Sequence, residues 1–477
     1  MAKRAATIRE AGYGRALRVE RNVWAETGRG EETDQEFLVR YVERRGLGAE
    51  EARARGVPVH VRIARSVVEN VRAKVLLTGQ KGSGKSTELR HLTLDPDVRA
   101  HFTLLNLVVT ERVDLNQQLD ARFLFLLIAA ELATTIAARP DAEWAIDDAT
   151  ITGRWIEVLR GLFPTEPPAA ITSFKASAKY FAELVAELRS DEERRAELVR
   201  NSRYDLPQME RVVAELVGAL TYLSKCPLLL VIDDGDKLAQ ETTARGIFIT
   251  HAGSLLRLPC ALVMTFPYWL HFEGDFNPVT SECTCVLLEN VKVVTRDKPQ
   301  EVIPGASQFF RSMLERLFVP GYFPLHDEAL EEAVRFSAGI PREFLRIVER
   351  GFVLAEDFGE DALSLETLRD AIEEMSRHMN PFMQRQEVRD QLERISLTQV
   401  LKTAADWKLL DAMLVVELRN KRPWYNVHPL LAADVAEFVK RRARRVDPKS
   451  ELDEESRRQR MIDELEGARG GDTPGRS

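Results

Sequence analysis

At 477 residues the chain is too long for one compact hydrophobic core, and a usual domain size of about 100–200 residues predicts two to four structural units. Its formal net charge of −8 excludes a uniformly basic nucleic-acid-binding protein, so any basic surface must be local. Hydrophobic residues make up 44% and charged residues 30%, which is ordinary for a soluble globular protein.

Cysteine usage argues against a disulfide-stabilised scaffold, because four cysteines are too few for a chain of this length. Two of them, Cys283 and Cys285, form a C-x-C pair inside an apolar run. A zinc site there would need two more ligands, and the sequence offers none nearby at zinc spacing. We therefore interpret the pair as reduced, half-buried residues on a strand.

The start of the chain and its hydropathy predict a cytoplasmic protein that does not contact a membrane. The first residues lack the apolar core of a signal peptide. The longest apolar run, Phe123–Ala130, has charges at both ends and is far shorter than the roughly 18 residues of a membrane span. Residues 1–56 are rich in Arg, Glu and Gly, which predicts an N-terminal extension with a mobile start and short helices.

The first strongly patterned elements surround a glycine-rich loop. Apolar residues at helical spacing predict a helix over 59–71, which leads into a short apolar strand, Lys74–Thr78, and then into the loop Gly79–Ser86. A helix begins after the loop at Thr87. Four more apolar runs, separated by helical sequence, predict a parallel sheet covered on both faces. These runs are Phe102–Val109, Leu228–Ile232, Ala261–Phe266 and one within Thr284–Val294.

The core of the protein is predicted at 57–304, with a helical insert near 140–207. After it the pattern becomes helical, and we predict a helical lid over 305–381. Four amphipathic segments compose this lid, near 306–318, 327–337, 341–356 and 364–378.

The C-terminal part predicts one more folded unit and a tail. Residues 382–442 read as a winged helix, in which Leu414–Leu418 and Trp424–Val427 form a β-hairpin attached to helices. Residues 443–477 are charged and Gly-rich with few apolar residues, which predicts a disordered tail.

The glycine-rich loop matches the phosphate-binding pattern G-x-x-x-x-G-K-[ST] at every position. Glycines let the backbone curl so that successive N–H groups point at phosphate oxygens, and the following helix directs its positive end to the same place. Lys85 would place a positive charge on the β- and γ-phosphates, and Ser86 would offer a hydroxyl to Mg²⁺. A Gly/Ser/Lys surface loop is the alternative, but the preceding strand and following helix favour phosphate binding. The predicted nucleotide-binding residues are Gly79, Gln80, Lys81, Gly82, Ser83, Gly84, Lys85, Ser86 and Thr87.

A second nucleotide-site pattern follows the apolar run Leu228–Ile232, which ends in acidic residues. The first of them, Asp233, is predicted to help hold Mg²⁺ at the carboxyl end of its strand. Asp234 is the predicted residue that orients or deprotonates the attacking water, and Asp236 is a less favoured substitute for that role. An acidic turn after a buried strand, with no catalytic role, is the alternative.

Two further residues are candidates for catalysis. Thr265 ends the fourth strand and could touch the γ-phosphate or the attacking water, or it could only satisfy the end of the sheet. Arg342 follows a helix–helix junction in which Gly339 suits a helix C-cap and Pro341 a first turn. Its side chain could reach the phosphates from the lid, or it could form a surface ion pair with a neighbouring Glu.

His428 and Trp424 lie in the predicted hairpin, and a lone histidine there is more often structural than catalytic. The turn Arg419–Arg422 carries three positive charges, which could contact a DNA backbone or simply face solvent.

Taken together, these residues resemble the AAA+/STAND class of P-loop ATPases, in which STAND denotes signal-transduction ATPases with numerous domains. The resemblance covers about residues 58–440. It rests on the two nucleotide-site patterns, on Thr265 with Pro267, on Gly339–Arg342 and on the terminal hairpin.

Two phrases narrow the resemblance. G-S-G-K-S-T-E-L-R over 82–90 and V-H-P-L-L over 427–431 are similar to bacterial STAND-like ATPases, many of which are associated with anti-phage defence. The class implies a sheet ordered 5-1-4-3-2, then a helical lid and a winged helix, with ATP and Mg²⁺ as ligands. It also implies a switch in which the nucleotide closes the lid and winged helix onto the core.

The sequence departs from the class in two respects. It shows no convincing arginine finger, and no long repeat array of the kind that STAND sensors carry follows the winged helix. We therefore expect partners, either further copies of this chain or a separate sensor or effector protein. The preference for ATP over GTP follows from the resemblance, and the lack of an N-K-x-D-like guanine-reading motif agrees with it.

Three functions compete at this point. The favoured one is a regulatory ATPase that binds ATP–Mg²⁺, hydrolyses it slowly and uses the two states to control assembly with partners. The second is a DNA-associated initiator or loader ATPase whose winged helix binds duplex DNA, which the acidic overall charge disfavours. The third is a binding module with negligible ATPase activity. A metabolic kinase is disfavoured, because the lid-plus-wing layout does not suit one.

Overall fold

The structure is a computed structural model that describes residues 58–112, 121–139, 206–238, 240–319, 321–420 and 422–446, with isolated positions 179, 183, 458, 459, 462 and 463. The predicted N-terminal extension, nearly all of the predicted insert and most of the predicted tail lie outside these residues. The described chain divides into two compact units. The first, called the sheet unit, comprises residues 59–78 and 85–287, and the second, called the helical unit, comprises residues 79–84 and 288 onward.

A five-stranded parallel sheet forms the centre of the sheet unit. The strand order is β2-β3-β4-β1-β5, which reads 5-1-4-3-2 from the other edge. Every residue of the three inner strands is buried, because helices cover both faces, whereas the edge strand β5 begins with an exposed residue. The strands are β1 (Lys74–Thr78), β2 (Thr103–Val108), β3 (Leu228–Asp233), β4 (Ala261–Thr265) and β5 (Thr284–Leu287).

The helices of the sheet unit follow the apolar pattern of their sequences. The most apolar of them, α5 (Ala121–Ala137), is buried along most of its circumference, because it packs against both β2 and the long helix α6 (Leu206–Ser224). The helices are α1 (Val59–Glu69), α2 (Lys85–Leu94), α3 (Pro96–His101), α4 (Val109–Arg112), α5 (Ala121–Ala137), α6 (Leu206–Ser224), α7 (Glu241–Arg245), α8 (Ala252–Leu256) and α9 (Asn277–Glu282).

The cysteine pair lies at the edge of this sheet. Cys283 immediately precedes β5 and Cys285 lies within it, and both are half-buried free thiols. Their sulfur atoms are 3.8 Å apart. Within the described part of the chain, none of the helices combines the length and the apolar character needed to cross a bilayer.

Four helices form the first part of the helical unit, and their bounds lie within three residues of the predicted segments. Their apolar faces meet in one core that includes Phe310, Phe344 and Phe352. The junction before the third helix needs glycine, because a Cβ at Gly339 would lie 1.9 Å from the carbonyl oxygen of Val291. The helices are α10 (Pro304–Glu315), α11 (Asp327–Phe336), α12 (Pro341–Phe358) and α13 (Leu365–Met379).

The last part of the chain contains an antiparallel hairpin among three helices. Its strands pair from Val415 opposite Val427 to Arg419 opposite Pro423. A buried ion pair between Arg394 and Asp406, 2.5 Å long, joins the first two of these helices. The last of these three helices continues beyond the predicted tail boundary at 442. The elements are α14 (Gln386–Thr398), α15 (Ala404–Asp411), β6 (Val415–Arg419), β7 (Pro423–Val427) and α16 (Pro429–Val446).

His428 lies between the hairpin and α16 and is only 1% exposed. Its Nδ1 accepts a hydrogen bond from the backbone N–H of Leu430. Burial lowers the pKa of His428 to about 4, with the carboxylate of Glu343 opposing the shift and the guanidinium of Arg346 adding to it. The imidazole is therefore neutral at pH 7, which fits the structural interpretation of this residue.

The lowered pKa predicts an acid-dependent loss of stability. The unfolded chain takes up a proton at His428 below about pH 6.5, whereas the folded chain does so only near the lowered pKa. The free energy of unfolding should therefore fall by about 2 kcal/mol between pH 7 and pH 5 because of this residue. Denaturant unfolding of the wild type and of His428→Asn at both pH values isolates this contribution, and equal losses in the two proteins would contradict it.

Candidate functional site

Three carboxylates meet at the carboxyl end of β3, which is an inner strand of the sheet. Asp233 ends the strand, and Asp234 and Asp236 lie in the tight turn that follows. Their ligand oxygens all lie within 4.8 Å of one another. Asp233 and Asp234 are buried, and Asp236 is partly exposed. Grouping negative charges this closely is unfavourable unless cations compensate them, so the cluster has the composition of a divalent-metal site.

Lys85 supplies one compensating charge. It is the first residue of α2, and its ammonium group lies 2.9 Å from the Asp236 carboxylate. The side chains are only 6% and 14% exposed, so solvent screens the pair weakly. The structure thus brings the lysine of the loop motif into the same cluster as Asp233, although its direct partner is Asp236.

Asp234 has a different environment from that of Asp236. Its backbone is in the left-handed region with φ of 65°, which an aspartate tolerates better than most residues. Its carboxylate pairs with the ammonium of Lys237 at 2.5 Å and accepts a hydrogen bond from the hydroxyl of Thr110. These contacts hold Asp234 within the turn, so the geometry favours Asp236 over Asp234 as the carboxylate facing the loop lysine.

Thr265 fixes the position of the acidic turn. Its hydroxyl accepts a hydrogen bond of 2.9 Å from the backbone N–H of Gly235, and its side chain is fully buried. A Cβ added at Gly235 would lie 2.3 Å from the carbonyl oxygen of Thr265. The end of β4 and the turn after β3 are therefore in close contact, an arrangement that agrees with the alternative in which Thr265 satisfies the end of the sheet.

The first six residues of the loop motif belong to the helical unit. Gly82 and Gly84 have φ of 86° and 103°, conformations that favour glycine, and the backbone N–H of Ser83 donates to the carbonyl of Gln80. Lys81 is exposed, whereas Ser83 is buried. The glycines allow the backbone conformation of the loop, and at Gly82 the side chains of Arg342 and Ile340 fill the position where a Cβ would lie.

Arg342 lies directly against this loop. Its backbone N–H lies 3.4 Å from the carbonyl oxygen of Gly82, and a Cβ at Gly82 would lie 2.9 Å from that of Arg342. Among the described residues, no carboxylate forms an ion pair with its guanidinium group. The structure thus places Arg342 beside the loop, and its reach to the phosphates stays a prediction.

The remaining predicted residues follow along the chain at the start of α2. Ser86 and Thr87 lie in its first turn and are half-buried. The N–H groups of a first helical turn have no partners within the helix, so this turn offers donors and the positive end of the helix dipole. A hydroxyl at Ser86 and the carboxylates after β3 are oxygen ligands of the kind that Mg²⁺ prefers.

Comparisons with known proteins place the chain in no established family. No protein-family model matches it, and no curated protein matches it. Among solved structures, Cdc6p from Pyrobaculum aerophilum aligns with a TM-score of 0.37 at 14% identity, covering 86% of this chain and 98% of that one. A chain of Drosophila ORC, from a structure with DNA, gives 0.34 at 10% identity, covering 88% and 95%.

A third solved structure is a STAND protein with a tetratricopeptide repeat sensor from Pyrococcus horikoshii. It aligns with a TM-score of 0.27 at 12% identity, covering 87% of this chain and 45% of that one. TM-scores this low reflect partial similarity of the backbone and assign no role to any residue of this chain.

Sequence reasoning missed three contacts around the site, which are the pairing of Lys85 with Asp236 and the contacts of Asp234 with Lys237 and Thr110. The sequence offered a signal for the Asp234–Lys237 pair, because these residues lie three positions apart in a turn. Thr110 lies more than a hundred residues away in the chain and could be found only from the strand order.

The crowding at Gly235 predicts a stability change with a matched control. Gly235→Ala should lower the free energy of unfolding by about 2–3 kcal/mol, because the new methyl group overlaps the Thr265 carbonyl and displaces the acidic turn. Gly218→Ala, in α6 with open space around it, should raise stability by about 0.5–1 kcal/mol through helix propensity. Denaturant unfolding measures both, and equal effects would show that the turn is not tightly packed.

Proposed function

We propose that this chain is a P-loop ATPase of the AAA+/STAND type that binds ATP with Mg²⁺, hydrolyses it slowly and acts as a regulatory switch. The observation that supports this best is the ion pair of Lys85 with Asp236, inside the carboxylate cluster at the end of β3. A complete phosphate-loop motif leads along the chain into that lysine. A buried lysine among clustered acids is the charge arrangement that a metal–nucleotide complex would balance.

The residues of the cluster have distinct proposed roles. Lys85 binds the phosphates and exchanges its Asp236 partner for phosphate oxygens. Ser86 and Asp233 hold Mg²⁺, whose charge would neutralise the phosphates and the surrounding acids. Asp234 maintains the shape of the turn through Lys237 and Thr110. Asp236, once released by Lys85, is the carboxylate proposed to orient the attacking water.

The switch function rests on the contacts of the loop within the helical unit. We assign α10–α13 to a helical lid and α14–α16 with the β6–β7 hairpin to a winged helix, following the resemblance in the sequence. Arg342 beside Gly82 is the residue proposed to report on the phosphates from the lid. Hydrolysis is proposed to be slow because the sequence offers no arginine finger. The partners would be further copies of this chain or a separate sensor or effector, and anti-phage defence is the proposed setting.

The DNA-associated alternative gains no support from the hairpin turn. Arg419, one of its three predicted basic residues, forms ion pairs with Glu289 and Glu417 in the helical unit. These carboxylates compensate its charge, so the turn is less positive than the sequence suggested. The regulatory ATPase therefore remains the preferred function.

Replacing the loop lysine tests nucleotide binding directly. Lys85→Ala should weaken ATP–Mg²⁺ binding at least about 100-fold, because it removes charged hydrogen bonds to two phosphates, while the fold persists. Titration with a fluorescent ATP analogue measures affinity, and circular dichroism checks the fold. Lys440→Ala, an exposed lysine on α16, is the matched control. Undiminished affinity of folded Lys85→Ala would refute the site.

Asp234 and Asp236 give different expectations for hydrolysis. Asp236→Asn should slow single-turnover phosphate release by about 100-fold or more, with nucleotide affinity changed only a few-fold. Asp234→Asn should slow it less and should lower the thermal midpoint, because Lys237 and Thr110 lose a charged partner. If Asp234→Asn instead causes the larger loss of hydrolysis, the water-orienting role belongs to Asp234.

A further inference from the structure

The side chain of Gln80, the second residue of the phosphate loop, is buried away from solvent in the helical unit, with the residue 3% exposed. Its Oε1 accepts hydrogen bonds from Asn290 Nδ2 at 2.8 Å and from the backbone N–H of Glu417 at 3.2 Å. Its Nε2 donates to the carbonyl oxygen of Val415 at 2.7 Å. Both the oxygen and the nitrogen of the Gln80 carboxamide are therefore hydrogen-bonded.

Two backbone partners of this carboxamide lie on one strand of the hairpin. Val415 and Glu417 are two residues apart on β6, and their backbone groups bond to Gln80 as they would to a neighbouring strand. Asn290 adds a second contact, because its Nδ2 also donates to the carbonyl oxygen of Glu417. The carboxamide of Gln80 thus lies along the edge of β6 that does not pair with β7.

The loop is consequently held at two points by two different elements. Gln80 bonds to β6, and the carbonyl oxygen of Gly82 faces the backbone N–H of Arg342 at the start of α12. The directions of the loop N–H groups depend on the peptide planes between these points. A change in those planes would have to stretch or break the bonds of Gln80, since a buried carboxamide is costly to leave unpaired.

We propose that Gln80 is a positioning residue that couples the occupancy of the phosphate loop to the β6–β7 hairpin. This inference rests on the proposed nucleotide binding and adds the route by which that site would act on the rest of the helical unit. Nucleotide binding would shift the backbone of the loop, and the carboxamide would transmit the shift to Val415 and Glu417. The coupling is reciprocal, so loss of the hairpin contact would also change nucleotide affinity.

The backbone amide of Glu417 reports directly on the contact between the loop and β6, because it donates a hydrogen bond to Gln80. In hydrogen–deuterium exchange resolved to the β6 peptide, Gln80→Ala should speed exchange at this amide roughly tenfold without nucleotide, the effect of losing one hydrogen bond of ordinary net strength. In the wild type, ADP or a non-hydrolysable ATP analogue with Mg²⁺ should change exchange there. Gln80→Ala should abolish that response.

Two further variants distinguish the loss of the Gln80 contact from a general loss of structure. Arg422→Ala, on the exposed turn of the same hairpin, should leave both the exchange at Glu417 and its response to nucleotide unchanged. Asn290→Ala removes one partner of Oε1 from outside the loop and should give a smaller change in the same direction. The double variant Gln80→Ala with Asn290→Ala should show less than the sum of the two single effects.

The outcomes separate this inference from the proposed function. If the wild type binds nucleotide and Lys85→Ala does not, yet Gln80→Ala retains the full response at Glu417, the coupling role is overturned and nucleotide binding stands. If the wild type binds no nucleotide, the proposed function and the coupling fail together, and faster exchange in Gln80→Ala then reports only a structural bond.

Discussion

The ammonium group of Lys85, buried beside the carboxylates at the end of β3, is the interaction on which the functional interpretation depends. Three acids within a few ångströms of each other repel, and a buried lysine without a counter-charge is equally unfavourable. Each group therefore compensates for the other. The apolar strand β3 between two neighbours delivers the acids to this position, and the start of α2 delivers the lysine.

Several contacts fix the turn that carries these acids. Gly235 fits against the carbonyl of Thr265, Asp234 adopts a left-handed backbone, and Lys237 with Thr110 hold its carboxylate. This set of contacts leaves Asp236 as the acid that faces Lys85. One carboxylate thus holds the turn and the other pairs with Lys85, so two residues of the same type make different contacts.

The loop itself has a second set of contacts that serve a different purpose. Gln80 and Gly82 connect the loop to β6 and α12. A buried carboxamide needs hydrogen-bond partners, and β6 supplies them here. Under the proposed function, these bonds would let the helical unit respond to what the loop contains, as a switch requires.

Local sequence was sufficient for the elements and for the loop motif. The apolar runs predicted all five strands, helical periodicity predicted the four helices α10–α13, and the spacing of glycines with Lys85 predicted a phosphate loop. These features depend on neighbours along the chain, so patterns of two and 3.6 residues reveal them. Only the tertiary structure decided which acid meets Lys85, that Thr110 contacts Asp234, and that Gln80 reaches β6. Those contacts join residues up to several hundred positions apart, and they depend on strand order and on side-chain direction, which no local pattern encodes.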